Sequence, residues 1–148
     1  MYRRCDGTLE VFLIHPGGPF WNRKDDGAWS IPKGEYDDDE APLDAAKREF
    51  VEETGIPPAE TFIELRPVRQ AGGKTVRAWA FEGDCDPALI VSNTFEIEWP
   101  PRSGRLQTFP EVDKAAWFDL AAAKEKINAG QIPLLDDLQA RLQASAAP

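Results

Sequence analysis

The stretch GEYDDDEAPLDAAKREFVEETGI, from Gly34 to Ile56, decides how the rest of the chain is read. Within it Leu43, Ala46, Phe50 and Thr54 recur at helical spacing, and no Gly or Pro interrupts Asp44 to Thr54. That pattern predicts a helix over 44–54 that stops at Gly55 in the left-handed conformation. At about 100° per residue, Glu49, Glu52 and Glu53 share an arc roughly 100° wide beside the apolar stripe. Glu49 stands i,i+3 from Glu52 and i,i+4 from Glu53, and each like-charge pair costs roughly a few tenths of a kcal/mol. A helix shaped by stability alone would carry Lys at one of these positions. Three carboxylates on one side suit a hard divalent cation, Mg²⁺ or Mn²⁺, held through oxygen. A solvated acidic face is the other reading that the helix by itself allows.

The spacing around the helix decides between them. Gly34, five residues, Glu40, seven residues and then Arg48-Glu49-Phe50-x-Glu52-Glu53-x-Gly55-Ile56 form one fixed pattern. Its seven fixed positions would arise by chance in about one window in 10⁸ at ordinary residue frequencies. The pattern resembles the Nudix box. The lead-in Trp29-Ser30-Ile31-Pro32-Lys33-Gly34-Glu35 is similar to the version found in diphosphohydrolases of nucleotides, dinucleoside polyphosphates and inositol polyphosphates.

The resemblance implies an α/β protein, a Nudix α/β/α sandwich with a mixed β-sheet, in which residues 1–148 form one domain. It implies a metal-dependent pyrophosphohydrolase that cleaves a phosphoanhydride bond in a nucleoside diphosphate-linked substrate, with an NTP or a dinucleoside polyphosphate favoured. Its metal ligands would be Glu49, Glu52 and Glu53, the carbonyl of Gly34, and Glu111, which precedes the final Trp strand in the register of the dinucleoside polyphosphate members. Mg²⁺ is the expected ion, with Mn²⁺ as a substitute. Glu49 or Glu53 would serve as general base, with Glu111 as the alternative. Arg48, at i,i+4 from Glu52, would orient that acid. Lys33 beside the metal face would act as a point charge on a phosphate oxygen. A Nudix-fold sensor that binds a nucleotide without hydrolysing it is the rival reading; such modules usually show an eroded box, and this one is complete.

Composition bounds the partners. The net charge of −9 argues against a nucleic-acid polymer, whose phosphates need a basic footprint, but leaves a nucleotide substrate open because a bound cation inverts the local charge. Cys5 and Cys85 have no zinc-like spacing and read as reduced thiols. No apolar run approaches membrane-spanning length, and MYRRCDG lacks a signal-peptide core, so a cytoplasmic monomer or homodimer is expected, with no membrane contact.

Taken in order, Leu9 to His15 reads as a central strand, entered through a turn at Asp6-Gly7 from a short arm that implies either a shortened sheet edge or a start further upstream. His15, the sole histidine, reads as structural. Phe20 and Trp21 suit either base stacking or core packing. Trp29 to Ile31 reads as a short strand, and Asp37 to Glu40 as helix-capping acids. Phe62–Gln70 and Lys74–Glu82 read as one long hairpin across Ala71-Gly72-Gly73, and Ser92–Trp99 as a strand whose Glu96 and Glu98 either face solvent or point at the metal helix. Arg102 and Arg105 flank Ser103-Gly104, and guanidinium forks there would suit a polyphosphate. Asp119 should cap a helix over Leu120–Asn128 that stops at Gly130, and Leu134–Leu142 should form a last helix, with Ala144 to Pro148 frayed.

Overall fold

Asp6 and Gly7 both take positive φ, 51° and 81°, and reverse the chain so that the first two strands pair antiparallel. The computed structural model describes residues 1–146. In chain order its elements are β1 (Tyr2–Cys5), β2 (Thr8–Pro16), α1 (Pro42–Thr54), β3 (Ile63–Glu64), β4 (Val68–Arg69), β5 (Thr75–Val76), β6 (Trp79–Ala80), β7 (Thr94–Glu98), β8 (Leu106–Pro110), β9 (Val112–Asp119), α2 (Leu120–Lys126) and α3 (Ile132–Ala146).

β2 is central. Val11 through His15 are all buried, as a strand covered on both faces requires. β9 lies antiparallel on one side, pairing Phe12 with Trp117 and Ile14 with Ala115, and β1 on the other, with Tyr2 opposite Val11. The short arm is no truncated edge. Tyr2 donates to the Phe81 carbonyl and accepts from the Gly83 amide, both at 3.0 Å, so β1 continues through a parallel bridge into the chain after β6. Long-range parallel pairing leaves no periodic mark in a four-residue arm, and it makes the sheet mixed.

The two faces of β2 bury against different helices. Val11 and Leu13 join Ala123, Leu134 and Leu138 of α2 and α3 in the larger core. Phe12 points the other way, its ring 6.4 Å from Phe50 of α1 and 5.4 Å from Trp117. This is the α/β/α sandwich that the resemblance implies. Each fully buried side chain of this size contributes about 1.5–3 kcal/mol.

The expected long hairpin over 62–82 is broken. Its ladder survives as β4 on β5 near the turn and β3 on β6 at the base. Pro67 has no N–H to donate, and the Arg66 amide turns out of the ladder to the Asp137 carboxylate at 2.8 Å. Three smaller boundaries also move. Trp29 to Ile31 forms only isolated bridges, from Ser30 to Ile14 and from Trp29 to Ile127. α2 ends at Lys126 rather than at Asn128, because Asn128 caps a separate 3-10 turn over Ala129–Gln131; Asp119 caps α2 as expected, accepting from Ala122 at 2.8 Å. α3 is helical through Ala146, so the expected loose end from Ala144 is helical as far as it is described; 147 and 148 lie outside the described residues. Among the described residues no helix is long and apolar enough to cross a membrane.

Asp137 carries a testable load. It accepts from the Arg66 amide and from Arg141 Nε at 2.9 Å, and its side chain is 8% exposed. These partners hold its carboxyl below the usual carboxylate range. A carboxyl depressed in the folded state stabilises above its ordinary range and loses that contribution as pH falls through the lower folded value. Asp137→Ala should therefore lower stability at pH 7 by about 1–3 kcal/mol, and the gap to the parent should close in acid, as urea melts across pH would show.

Candidate catalytic site

α1 presents the acids. Its first turn begins at Pro42, preorganised for a helix start, and its N-cap Ala41 offers no side-chain bond. The acidic run 37–40 therefore does not cap the helix. Glu40 instead folds back onto Arg48, accepting from Nε at 3.0 Å and Nη2 at 2.9 Å. Arg48 Nη1 reaches Glu49 at 3.0 Å and Glu52 at 3.2 Å, and Nη2 donates to the Glu35 carbonyl at 3.3 Å. The i,i+4 pair expected from spacing is present, within a wider fork that ties the loop before α1 to the acidic face. At the other end Gly55 takes φ 73° and closes the helix onto the Val51 carbonyl.

The acids are not equivalent. Burial pushes the Glu53 carboxyl up to about 7, with the like charges of Glu49 and Glu111 adding to it; the Lys33 amide, 3.1 Å from Glu53 Oε2, and the Lys33 ammonium act against the rise. Glu49 is raised too, first by burial and then by Glu52 and Glu111, against the pull of Arg48. Glu111 thus lies within electrostatic reach of both box acids although 58 residues separate it from Glu53 in the chain. Gly34 is pressed against Glu49: a Cβ there would lie 1.9 Å from the Glu49 carboxyl carbon. Glu49, Glu53, Glu111, Glu52 and the Gly34 backbone are all oxygen donors, anionic as side chains and in part desolvated. They fit a hard divalent cation in kind and in charge. As they stand, no group of three such side chains among the described residues encloses one point, and Arg48 balances Glu49 and Glu52 instead.

Beside Gly34 opens a cavity of about 510 Å³. Ile31 to Tyr36 form one wall and Val76 to Phe81 the other, α1 closes it with Leu43, Ala46 and Phe50, and Leu134 and Leu138 of α3 line its far end. Lys33, Lys47, Lys74 and Arg77 stand among the lining residues. This volume is of the size that takes a nucleoside. The sequence does not reveal it, because its walls come from stretches far apart in the chain and none has a local signature.

The remaining candidates separate. His15 is buried, its Nδ1 2.8 Å from Asp113 and its Nε2 2.7 Å from the Lys24 carbonyl, so it ties the loop after β2 to β9. Phe20 packs edge-on against Trp99 at 5.3 Å, and Trp21 lies under the Lys24 ammonium at 4.9 Å. Glu96 and Glu98 are exposed. Arg102, with φ 62°, and Arg105 sit in the exposed turn of the β7–β8 hairpin and do not line the cavity.

A family model described as the NUDIX domain matches residues 2–138. An RNA pyrophosphohydrolase of Bartonella quintana (strain Toulouse) is 36% identical over 146 residues, which cover 82% of this chain and 78% of that protein. A shorter match, 50% identical over 60 residues, is to an RNA pyrophosphohydrolase of Bartonella henselae; it covers 40% of this chain and spans about a third, 32%, of the relative's length. Among solved structures, a binary complex of the C. elegans Ap4A hydrolase superposes with a TM-score of 0.63 at 24% identity, covering 97% of this chain and 93% of that one. That likeness concerns the fold.

Proposed function

The chain belongs to the NUDIX family, and from that premise we propose that it is a metal-dependent pyrophosphohydrolase that splits a phosphoanhydride bond in a nucleoside diphosphate-linked substrate. The observation that supports this best is a desolvated carboxylate, Glu53, within reach of Glu49 and Glu111 and bonded to the amide of Lys33, a residue that lines the nucleoside-sized cavity. Glu49, Glu52, Glu53 and Glu111, with the Gly34 carbonyl, would hold Mg²⁺ or Mn²⁺. A bound cation of this kind neutralises bridging phosphates and lowers the pKa of a water.

The chain's own residues do the rest. The cavity takes the nucleoside and sets the phosphates at its mouth, next to Gly34. Lys33 offers its ammonium to a phosphate oxygen. Arg48 holds Glu49 and Glu52 in place through Nη1. Glu53 or Glu49 takes the proton of the attacking water, with Glu111 as the alternative base. The water oxygen bonds to one phosphorus as the bridging oxygen leaves, giving a nucleoside phosphate and a second phosphorylated product.

An NTP or a dinucleoside polyphosphate is the favoured substrate, and the RNA pyrophosphohydrolases among the relatives add RNA to the candidates. Chromatographic detection of the nucleoside phosphate product with Mg²⁺ across these compounds, ADP-ribose and NADH, with Glu53→Gln beside the parent, tests the proposal. A hit lost in the variant supports it. Nucleotide and Mg²⁺ that raise the melting temperature without turnover would identify a sensor instead.

Arg102 and Arg105 belong to the same proposal through the far end of the substrate. Standing at the hairpin turn, they would touch only a substrate that extends beyond the cavity mouth. Arg102→Ala with Arg105→Ala should raise KM for a dinucleoside polyphosphate about tenfold and leave KM for an NTP nearly unchanged, a contrast that steady-state kinetics reads directly. Equal effects on both would remove the hairpin turn from the substrate path.

A further inference from the structure

Glu111 reaches the box acids by a route that leaves α1 at its last turn. The helix cannot itself satisfy its terminal carbonyls. Two of them are taken by the segment Val91-Ser92-Asn93: the Val91 amide donates to the Thr54 carbonyl at 2.9 Å and the Asn93 amide to the Glu52 carbonyl at 2.8 Å. On its other edge the same segment holds β9. The Glu111 amide donates to the Asn93 carbonyl at 2.8 Å, and the Val112 amide to Ser92 Oγ at 3.1 Å. Asn93 therefore bridges the backbones of Glu52 and Glu111 directly, one through its N–H and the other through its C=O.

Among the described residues one side chain takes part in this strap. Ser92 Oγ donates to the Asn93 carbonyl at 2.7 Å while it accepts from the Val112 amide. Val112 is buried, so without the hydroxyl its amide would lose its partner. On the far side Glu111 is fixed as well, because its carbonyl accepts from the Gly17 amide at 2.9 Å. Shear of the strap relative to β9 would move Glu111 relative to Glu49 and Glu53; the Ser92 hydroxyl opposes it beside the backbone bond from Glu111 to Asn93.

We propose that Ser92 is a positioning residue for the metal site, setting through its hydroxyl the spacing between Glu111 and the acids of α1 and so the affinity for the divalent cation. The inference rests on the reading of Glu111 as a ligand. It does not place Ser92 on the metal or on the substrate.

The experiment is calorimetric titration of the whole protein with Mn²⁺ alone, for the parent, Ser92→Ala, Ser92→Thr, Ser92→Val and Glu111→Gln, with melting temperatures in chelator as the stability control. Loss of a group that orients a ligand weakens metal binding about 10–100-fold. Ser92→Ala should show that loss in Mn²⁺ affinity and a matching rise in the Mg²⁺ concentration for half-maximal turnover, with kcat at saturating Mg²⁺ near the parent's. Ser92→Thr, which keeps the hydroxyl, should restore the affinity. Should the Ala variant fail to fold, the near-isosteric pair decides: Thr binding tightly and Val weakly supports the inference, and Thr and Val binding alike overturns it. Parent-like Mn²⁺ binding by Ser92→Ala, with Glu111→Gln impaired, would overturn the role of Ser92 and leave Glu111 a ligand. Parent-like binding by Glu111→Gln would instead remove Glu111 from the metal site, and the inference with it.

Discussion

Glu53→Gln should leave a folded protein whose Mg²⁺-dependent turnover is reduced about 10²–10⁴-fold, the range that loss of a positioned acid or base commonly brings. The same variant should be more stable than its parent in chelator at pH 8. Both effects follow from where the carboxyl sits. Burial and the neighbouring charges of Glu49 and Glu111 raise it to about 7 from an ordinary 4.5. A raised carboxyl keeps its proton in the folded state across that window while the unfolded chain releases it. Its contribution is therefore fully present below the ordinary value and is lost as pH rises through 7. At pH 8 the folded parent carries a desolvated charge that costs roughly 2–3 kcal/mol, and Gln carries none. Metal-free melting should thus show the parent declining from pH 5 to 8 while Glu53→Gln stays flatter. With Mg²⁺ the order should reverse, because the cation stabilises only the chain that binds it. A variant that loses its fold would show Glu53 to be structural; one that keeps its turnover would remove it from the chemistry.

How far the sequence led depends on how local each feature is. The helix over Pro42–Thr54 was legible because its apolar spacing, its acids and its Gly55 stop all lie within one short window. The pairing of Arg48 with Glu52 was legible for the same reason. The bonds from Arg48 to Glu40 and to the Glu35 carbonyl were not, because they depend on how the preceding loop folds back, and the acids 37–40 looked equally suited to a cap. The break in the stretch 62–82 has a tertiary cause: Asp137, 71 residues away, takes the Arg66 amide that a continuous ladder would use. β1 looked like an edge because its second partner, the Phe81–Gly83 stretch, comes almost eighty residues later. The strap through Ser92 and the cavity beside Gly34 share that character. They exist only once distant segments meet, and residue type alone gives neither away.

Gly34→Ala is the sharper test of the site, because its effect on activity and its effect on stability should part company. The φ of Gly34 lies outside the left-handed region, so alanine meets no backbone penalty there. What it meets is Glu49: the added Cβ would fall 1.9 Å from the carboxyl carbon and 2.2 and 2.3 Å from the two oxygens. These atoms are the end of a flexible side chain, which can swing aside at a cost to folding of no more than about 1 kcal/mol. Swinging aside takes Glu49 from the place that its proposed role requires, and a misplacement on the order of 1 Å in a reacting constellation costs about 10²-fold. A folded protein with a near-parental melting temperature in chelator and about 10²-fold less turnover is the expected result. The cause can be isolated with a double-mutant cycle, since coupled residues give non-additive effects. If Gly34→Ala acts only by displacing Glu49, adding it to Glu49→Ala should lower turnover no further. A full additional loss in the double variant would mean that Gly34 matters through its own backbone, which returns the weight to its carbonyl as a ligand.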